Sequence, residues 1–388
     1  MTQSKKQSPT ASKKRWLILA MVFLGPYAFL FSMQAAPPLI PTIIDDFSLS
    51  YAQTAGLMLF VALPAMLLSI PGGFLADRYG NKRMSVIGLS LVCLGTVFTA
   101  LAPSFALLEA SRALLGIGGA LLLSAAPPLL FQWFAGRELG LAMGIWALNM
   151  PLATVVAFNL LGRIAIGHGW RADFWIAAGL AVIILILFIL FVEEKRLAPA
   201  PFSLAALKKK SIWLLAIVWG TFNMAVLSLT TWGKTIFVDF RGVSDVQADF
   251  LASLIMIMAF ATPLTGYLAG RLGRCRRLIL VAVLGMTVCL ALVPAAGGGL
   301  IVPLLVVLGL FGALMPPCVF ALPPELVGAE NTGLGFGVLN TTLNLGVVVG
   351  PLLVGRVLDT MHTEVAVFAT MAAFAAVGAV FGFILKAR

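Results

Sequence analysis

The chain reads as an all-α membrane protein: twelve transmembrane helices in two six-helix bundles, related by a pseudo-two-fold axis along the membrane normal. Three observations predict this. Of its 388 residues, 61% are apolar and 11% charged. A soluble domain carries about 25% charged residues, so this chain cannot cover a water-facing surface. Twelve apolar stretches of about 20 residues follow one another, each long enough to cross a ~30 Å hydrocarbon core. One motif occurs twice, offset by 193 residues, which is close to half the chain. A repeat at fixed offset is a direct sign of duplicated architecture.

The spans are expected at 16–38, 52–71, 84–102, 105–130, 139–161, 172–192, 212–233, 249–269, 278–296, 300–321, 333–355 and 364–385. Ala102-Pro103-Ser104 divides the third from the fourth, and Pro294 to Gly299 the ninth from the tenth. Residues 1–15 are a basic polar tail, not a cleaved signal peptide, because eleven more spans follow the first. The longest polar interval, 193–211, carries Glu193-Glu194-Lys195-Arg196 and Lys208-Lys209-Lys210. It divides an N-terminal bundle, 16–192, from a C-terminal bundle, 212–388, and its lysines suit anionic headgroups.

The repeated motif is Gly-x-Leu-Ala-x-Arg-x-Gly-x-x-Arg. It runs from Gly73 to Arg83 and again from Gly266 to Arg276. The same offset aligns Gly116 with Gly309, Gly119 with Gly312, Ala120 with Ala313, Gly144 with Gly337, and Gly162-Arg163 with Gly355-Arg356.

The formal charge of +11 is a matter of topology. With the N-terminus inside, cytoplasmic segments hold 20 of the 26 Lys and Arg residues, as the positive-inside rule requires. Both termini are then cytoplasmic, in a multi-pass protein of the plasma (inner) membrane. A nucleic-acid partner is not expected. Cys93, Cys289 and Cys318 read as small apolar helix residues and Cys275 as a loop thiol. His168 and His362 fall in expected loops. No metal site, cofactor, P-loop or nucleophile–base pair is legible, so an enzyme is not expected. Two equal halves of like orientation place a small-molecule site between them near the midplane, reached by rocking of one half on the other.

The first motif copy resembles the signature between helices 2 and 3 of the major facilitator superfamily. Arg112-Ala-Leu-Leu-Gly116-Ile-Gly118-Gly119-Ala120 is similar to that family's helix 4 pattern, and Gly169-Trp170-Arg171 with Phe174-Trp175 to its helix 6 opening. The resemblance covers essentially the whole chain and implies a secondary transporter. It also implies that Asp77, with Gly73, Arg78, Gly80 and Arg83, forms a conformational latch on the start of helix 11 near Asn331–Gly335. The second copy has Gly270 in place of the acid, so the latch is expected on one side only.

Ionisable groups within a span are candidate functional groups. Arg112 lies about 12 Å into helix 4 if that helix starts near Ser104. It suits a substrate carboxylate or phosphate, pairs with Glu109 three residues before it, or is a purely structural residue of the helix 4 motif. Lys234 either faces the cavity after a bend at Gly233 or reaches the outer interface. Glu109 is the candidate proton-coupling acid. The uncharged candidates are Tyr27, Gln34, Asn149, Asn159, Asn223, Asn340 and Asn344; each lines the cavity or bonds to another helix. Trp146, Trp219 and Phe222 read as lipid- or core-facing. Together these residues point to a monomeric transporter of a small organic anion such as a monocarboxylate, coupled to protons. The alternative is a proton-coupled exporter of drugs or amphiphiles.

Overall fold

The computed structural model describes residues 14–49, 56–161, 168–194 and 205–387. Most of the tail, most of the linker and the repeat pair member Gly162-Arg163 lie outside them. The twelve spans, numbered here α1 to α12, are Lys14–Leu39, Gly56–Tyr79, Asn81–Leu101, Phe105–Phe131, Glu138–Val156, Trp170–Phe191, Lys210–Arg241, Phe250–Leu272, Cys275–Ala295, Gly298–Val327, Ala329–Met361 and Glu364–Leu385. Helices are the form such apolar runs must take, because every backbone polar group is satisfied within the segment.

Local chemistry sets the ends. Ser104 caps α4, its hydroxyl accepting from the Leu107 amide. Gly80 alone joins α2 to α3, with φ +102°, a region that a side chain strongly disfavours. Asp77 and Arg78 therefore lie in the last helical turn of α2, not in a loop after residue 71 as the hydropathy suggested. Glu194 caps α3 from the linker, accepting from the amides of Asn81 (2.7 Å) and Lys82 (3.2 Å). Cys275 is the first residue of helix α9, so it is not a loop thiol.

Spans α1 to α6 pack on one another, as do α7 to α12, and four pairs cross between the sets: α2 with α11, α5 with α8, α4 with α11, and α5 with α10. The helix ends at which Lys14, Arg78, Arg271 and Arg276 stand lie on one side of the molecule, which we term the basic end.

Two seams close that basic end, and the 193-residue offset relates them. In the first, a Cβ on Gly73 would come within 2.9 Å of the Leu334 Cα, and one on Gly337 within 2.9 Å of the Ile70 Cα. In the second, a Cβ on Gly140 would come within 2.9 Å of the Gly270 amide nitrogen, and one on Gly144 within 2.9 Å of the Pro263 Cα. Gly73 faces Gly333 as Gly266 faces Gly140, and Gly337 faces Ser69 as Gly144 faces Thr262. Small residues let helix backbones approach this closely.

The seams differ in their polar fastening. Asp77 accepts from the amides of Gly333 and Leu334, both at 2.7 Å, at the first turn of the long helix in α11. The Thr341 hydroxyl adds a bond to the Met66 carbonyl (3.0 Å). A carboxylate there satisfies two otherwise orphaned amides and meets the positive end of the helix dipole. The second seam has Gly270 at the matching place, and its bond is Thr262 to the Gly144 carbonyl (3.0 Å). Glu138, near the start of α5, instead forms a two-bond pair with Arg15 of α1 (2.6 and 3.0 Å).

Candidate functional site between the two bundles

Arg112 is wholly buried, and its guanidinium is engaged within the first bundle. It donates to the carbonyls of Leu57 (3.1 Å), Ser32 (2.9 Å) and Met33 (2.9 Å), with the Phe174 ring 6.0 Å from its Cζ. Ser32 and Met33 belong to the last turn of the helix in α1, whose final carbonyls have no partner within the helix. Among the described residues no ion pair joins Arg112 to Glu109. Glu109 is half-buried near the far end of α4, beside Gly56.

Lys234 is exposed, and the α7 helix continues through Gly233 to Arg241, so no bend there turns Lys234 inward. Gln34 bonds to the Thr154 hydroxyl of α5 (2.8 Å), a tie within the first bundle. Tyr27 is buried and stacked between Phe23 (6.1 Å) and Phe31 (5.9 Å). The side chain of Asn159 lies outside what is described.

The remaining amides gather around Trp146, Trp219 and Phe222, which are core residues, one of the two places expected for them. Trp146 of α5 meets Phe320 of α10 (ring centroids 4.8 Å apart) and Phe336 of α11 (6.1 Å). Trp219 of α7 meets the same Phe320 (5.0 Å) and stacks on Phe222 (5.2 Å). Phe131 of α4 closes on Phe336 (6.2 Å). These rings are one cluster that crosses from the first bundle to the second. They sit about 13 Å in from the basic end, since Trp146 and Trp219 each follow their helix start by nine residues at 1.5 Å per residue. The cluster forms a floor closing the interface toward that end.

One helical turn above the floor stand the asparagines. Asn149 follows Trp146, Asn223 follows Trp219, and Asn340 and Asn344 follow Phe336 along helices that all run away from the basic end. The Asn149 amide donates to the Trp146 carbonyl (2.7 Å) and the Asn223 amide to the Trp219 carbonyl (2.7 Å). The Asn344 amide donates to the Asn340 carbonyl (2.8 Å). In α5 this amide sits where the helix is interrupted between Trp146 and Asn149.

Four buried polar atoms of this group have no partner: the indole nitrogens of Trp146 and Trp219, the Asn340 amide nitrogen and the Asn149 carbonyl oxygen. Each orphan of this kind costs about 1–3 kcal/mol, and a native protein keeps one for a reason. Their concentration at a floor shared by two bundles marks the site. A Trp-x-x-Asn and a Trp-x-x-x-Asn spacing on two different spans was the signal available in the sequence.

Asp173, in the first turn of α6 and within the stretch expected to span, is a further acid that the sequence reading passed over. It is wholly buried, and neither carboxyl oxygen has a partner. Beyond the spans, Asp46 accepts from the Trp170 indole (3.0 Å) and Arg171 (2.8 Å), and these hydrogen bonds hold its carboxyl below the usual carboxylate range. Among the described residues no group of three or more His, Cys, Asp or Glu side chains could hold a metal ion.

The Major Facilitator Superfamily profile matches residues 22–351 and 241–388. A hexuronate transporter of Bacillus subtilis is 24% identical over 91% of this chain and 90% of its own length. A lysosomal dipeptide transporter of Danio rerio is 26% identical over 88% and 80%. The 3-(3-hydroxy-phenyl)propionate transporter of Escherichia coli is 26% identical over 98% and 97%. Among solved structures, FucP in its outward conformation superposes with a TM-score of 0.79 at 16% identity, covering 96% of this chain and 99% of that one. With twelve spans, a twofold repeat and a profile match across nearly its full length, the chain belongs to the Major Facilitator Superfamily of transporters.

Proposed function

We propose that this transporter carries a small organic acid, its carboxyl end held by the orphaned groups of Trp146, Asn149, Trp219 and Asn340. The observation that carries the reading is that these unpartnered atoms cluster on a floor built by both bundles. A ligand bonded to the Trp146 indole on one side and the Trp219 indole on the other bridges the halves. Rocking then separates its donors and releases it. The names of two relatives denote carboxylates, a hexuronate and a hydroxyphenylpropionate, which supports an acid as cargo.

The basic end is the cytoplasmic one on this reading, because positive charge marks the inner side. The closed seams and the Asp77 bonds then make this the outward-facing state, with Gly73, Asp77, Arg78, Gly80 and Arg83 as its latch. Proton coupling fits an acid as cargo. The second reading, export of an amphiphile, is favoured by the six-ring floor, which would seat any flat apolar body.

Thermal stabilisation of the purified protein across organic acids and cationic amphiphiles tests the assignment. Acids are expected to stabilise the wild type and to lose that effect in Trp146→Phe and Trp219→Phe, which keep the ring and remove the N–H. Stabilisation by cations alone would defeat it.

A further inference from the structure

The polar atoms of the floor have a composition that discriminates between two forms of one ligand. Three are donors: the indole N–H groups of Trp146 and Trp219 and the Asn340 amide. The fourth is an acceptor. The Asn149 amide nitrogen is fixed by its bond to the Trp146 carbonyl, which leaves the buried side-chain oxygen facing no donor. An ionised carboxylate has only lone pairs to offer and leaves that oxygen unsatisfied. A protonated carboxyl has both halves of the match: its carbonyl accepts from the indoles or the Asn340 amide, and its hydroxyl donates to Asn149.

Charge gives the same answer. Every side chain of the floor and the ring of asparagines above it is neutral: Trp, Phe or Asn. The cations closest along these helices, Arg137 and Lys210, stand nine residues before Trp146 and Trp219, about 13 Å away at the basic end, and the others are remote or engaged. Arg112 stands 19 residues from Phe131 along α4, about 28 Å, and gives its N–H groups to main-chain carbonyls. Lys234 is 15 residues beyond Trp219, about 22 Å, and Arg356 is 20 beyond Phe336, about 30 Å.

Of the acids, Asp77 has both oxygens on α11 amides, Glu109 lies near the far end of α4, and Asp173 is enclosed in the first turn of α6. Glu138 pairs with Arg15, and Glu325 at the basic end of α10 faces Arg276. Tyr27 on α1 and Cys318, two residues from Phe320 on α10, lie deeper in the spans around the floor, whereas Lys210 and Glu330 stand at the basic ends of α7 and α11, and Asp239, Arg241 and Asp359 near their far ends. A bare carboxylate moved into such a site has no counter-charge, and desolvation then favours the neutral form strongly.

We propose that the substrate binds as the protonated, neutral acid, so that the coupling proton travels on the substrate's own carboxyl and not on a carboxyl of the protein. The inference rests on the organic-acid reading above. It requires that apparent affinity follow the neutral fraction, falling tenfold for each pH unit above the substrate's pKa.

The test uses 3-phenylpropionic acid, its α-hydroxy and α-fluoro derivatives, which are stronger acids, and 3-phenylpropionamide. Binding to the purified full chain is measured from pH 4 to 8, and uptake into proteoliposomes with and without a pH gradient. The expected result is a binding midpoint that moves down in step with the pKa of each acid, while the amide binds equally at every pH. Glu109→Gln and Asp173→Asn are expected to keep gradient-driven uptake. A midpoint common to all three acids overturns the inference, as does an amide that fails to bind or loss of the gradient response in either variant. If neither acid nor amide binds at any pH, the organic-acid reading itself fails, which is a separate outcome.

Discussion

The Asp77 carboxylate lies 2.7 Å from the Gly333 amide, across the line where the two bundles meet. Each bond from a charged group of this kind contributes about 1.5–3 kcal/mol. Asp77→Asn keeps one acceptor and sets an NH2 group against an amide N–H. The closed basic end should then lose about 1–3 kcal/mol relative to the open one, with slower transport and normal membrane insertion. Reactivity of a cysteine placed at Ala76 toward a cytoplasmic thiol reagent reads the shift; unchanged reactivity and rate would remove the latch role.

Gly333→Ala tests the seam itself. Its Cβ would lie 2.7 Å from both Asp77 Oδ1 and the Gly73 carbonyl oxygen, and the Gly73 backbone cannot yield. Gly140→Ala makes the matching clash in the other seam. Both should hold the basic end open and lower transport at least tenfold, whereas Gly179→Ala, with nothing within 4 Å, should not. Equal transport by all three variants would show that the seams do not need close approach.

At the floor, ring and N–H separate by substitution. Trp219→Phe removes one donor and should weaken ligand binding by about 1 kcal/mol, roughly fivefold. Trp219→Leu also removes the stack with Phe222 and the edge contact with Phe320, and should cost about 1 kcal/mol more. Isothermal titration with the best-stabilising acid gives both numbers, and wild-type affinity in both variants would place the indole outside the site.

Arg112 is expected to matter for assembly of the first bundle more than for ligand contact. Arg112→Gln leaves buried carbonyls of α1 and α2 without donors, a loss of about 3 kcal/mol. The melting temperature should fall while the ratio of ligand affinities across an acid series stays fixed. A changed ratio with an unchanged melting temperature would return Arg112 to the binding site.

Asp46 gives a pH dependence of known sign. Its carboxyl is held below the usual range by the Trp170 and Arg171 hydrogen bonds. That bonding stabilises the fold above the unfolded carboxyl's pKa, and the contribution is lost as pH falls through the lower folded value. The ion pair is largely exposed, so the gain is at most about 1 kcal/mol. Asp46→Asn should flatten the drop in melting temperature between pH 5 and 3; a drop of the same size would assign it to other groups.

Architecture was legible because lipid leaves few options: hydropathy located twelve spans, and the glycine register showed that the two halves repeat, though not that these glycines meet across the two seams. The site was less legible. Trp146 and Trp219 are apolar enough to suit lipid, a bundle core or a bundle interface, and hydropathy does not separate these three. Arg112 drew attention as a charge within a span, yet the end of the α1 helix supplies unpaired carbonyls that satisfy it. The asparagines were visible as candidates, but only their position above the rings distinguishes Asn149 and Asn340 from amides that merely tie helices together.

Gly80 has one further consequence. As the sole residue between two long helices, it leaves no slack through which α2 can move without α3. Any pull on Asp77 is delivered to α3 and, through Glu194, to the strand of chain that leads to the other bundle. A loosened joint there, such as two inserted residues beside Gly80, would turn a lever into a tether.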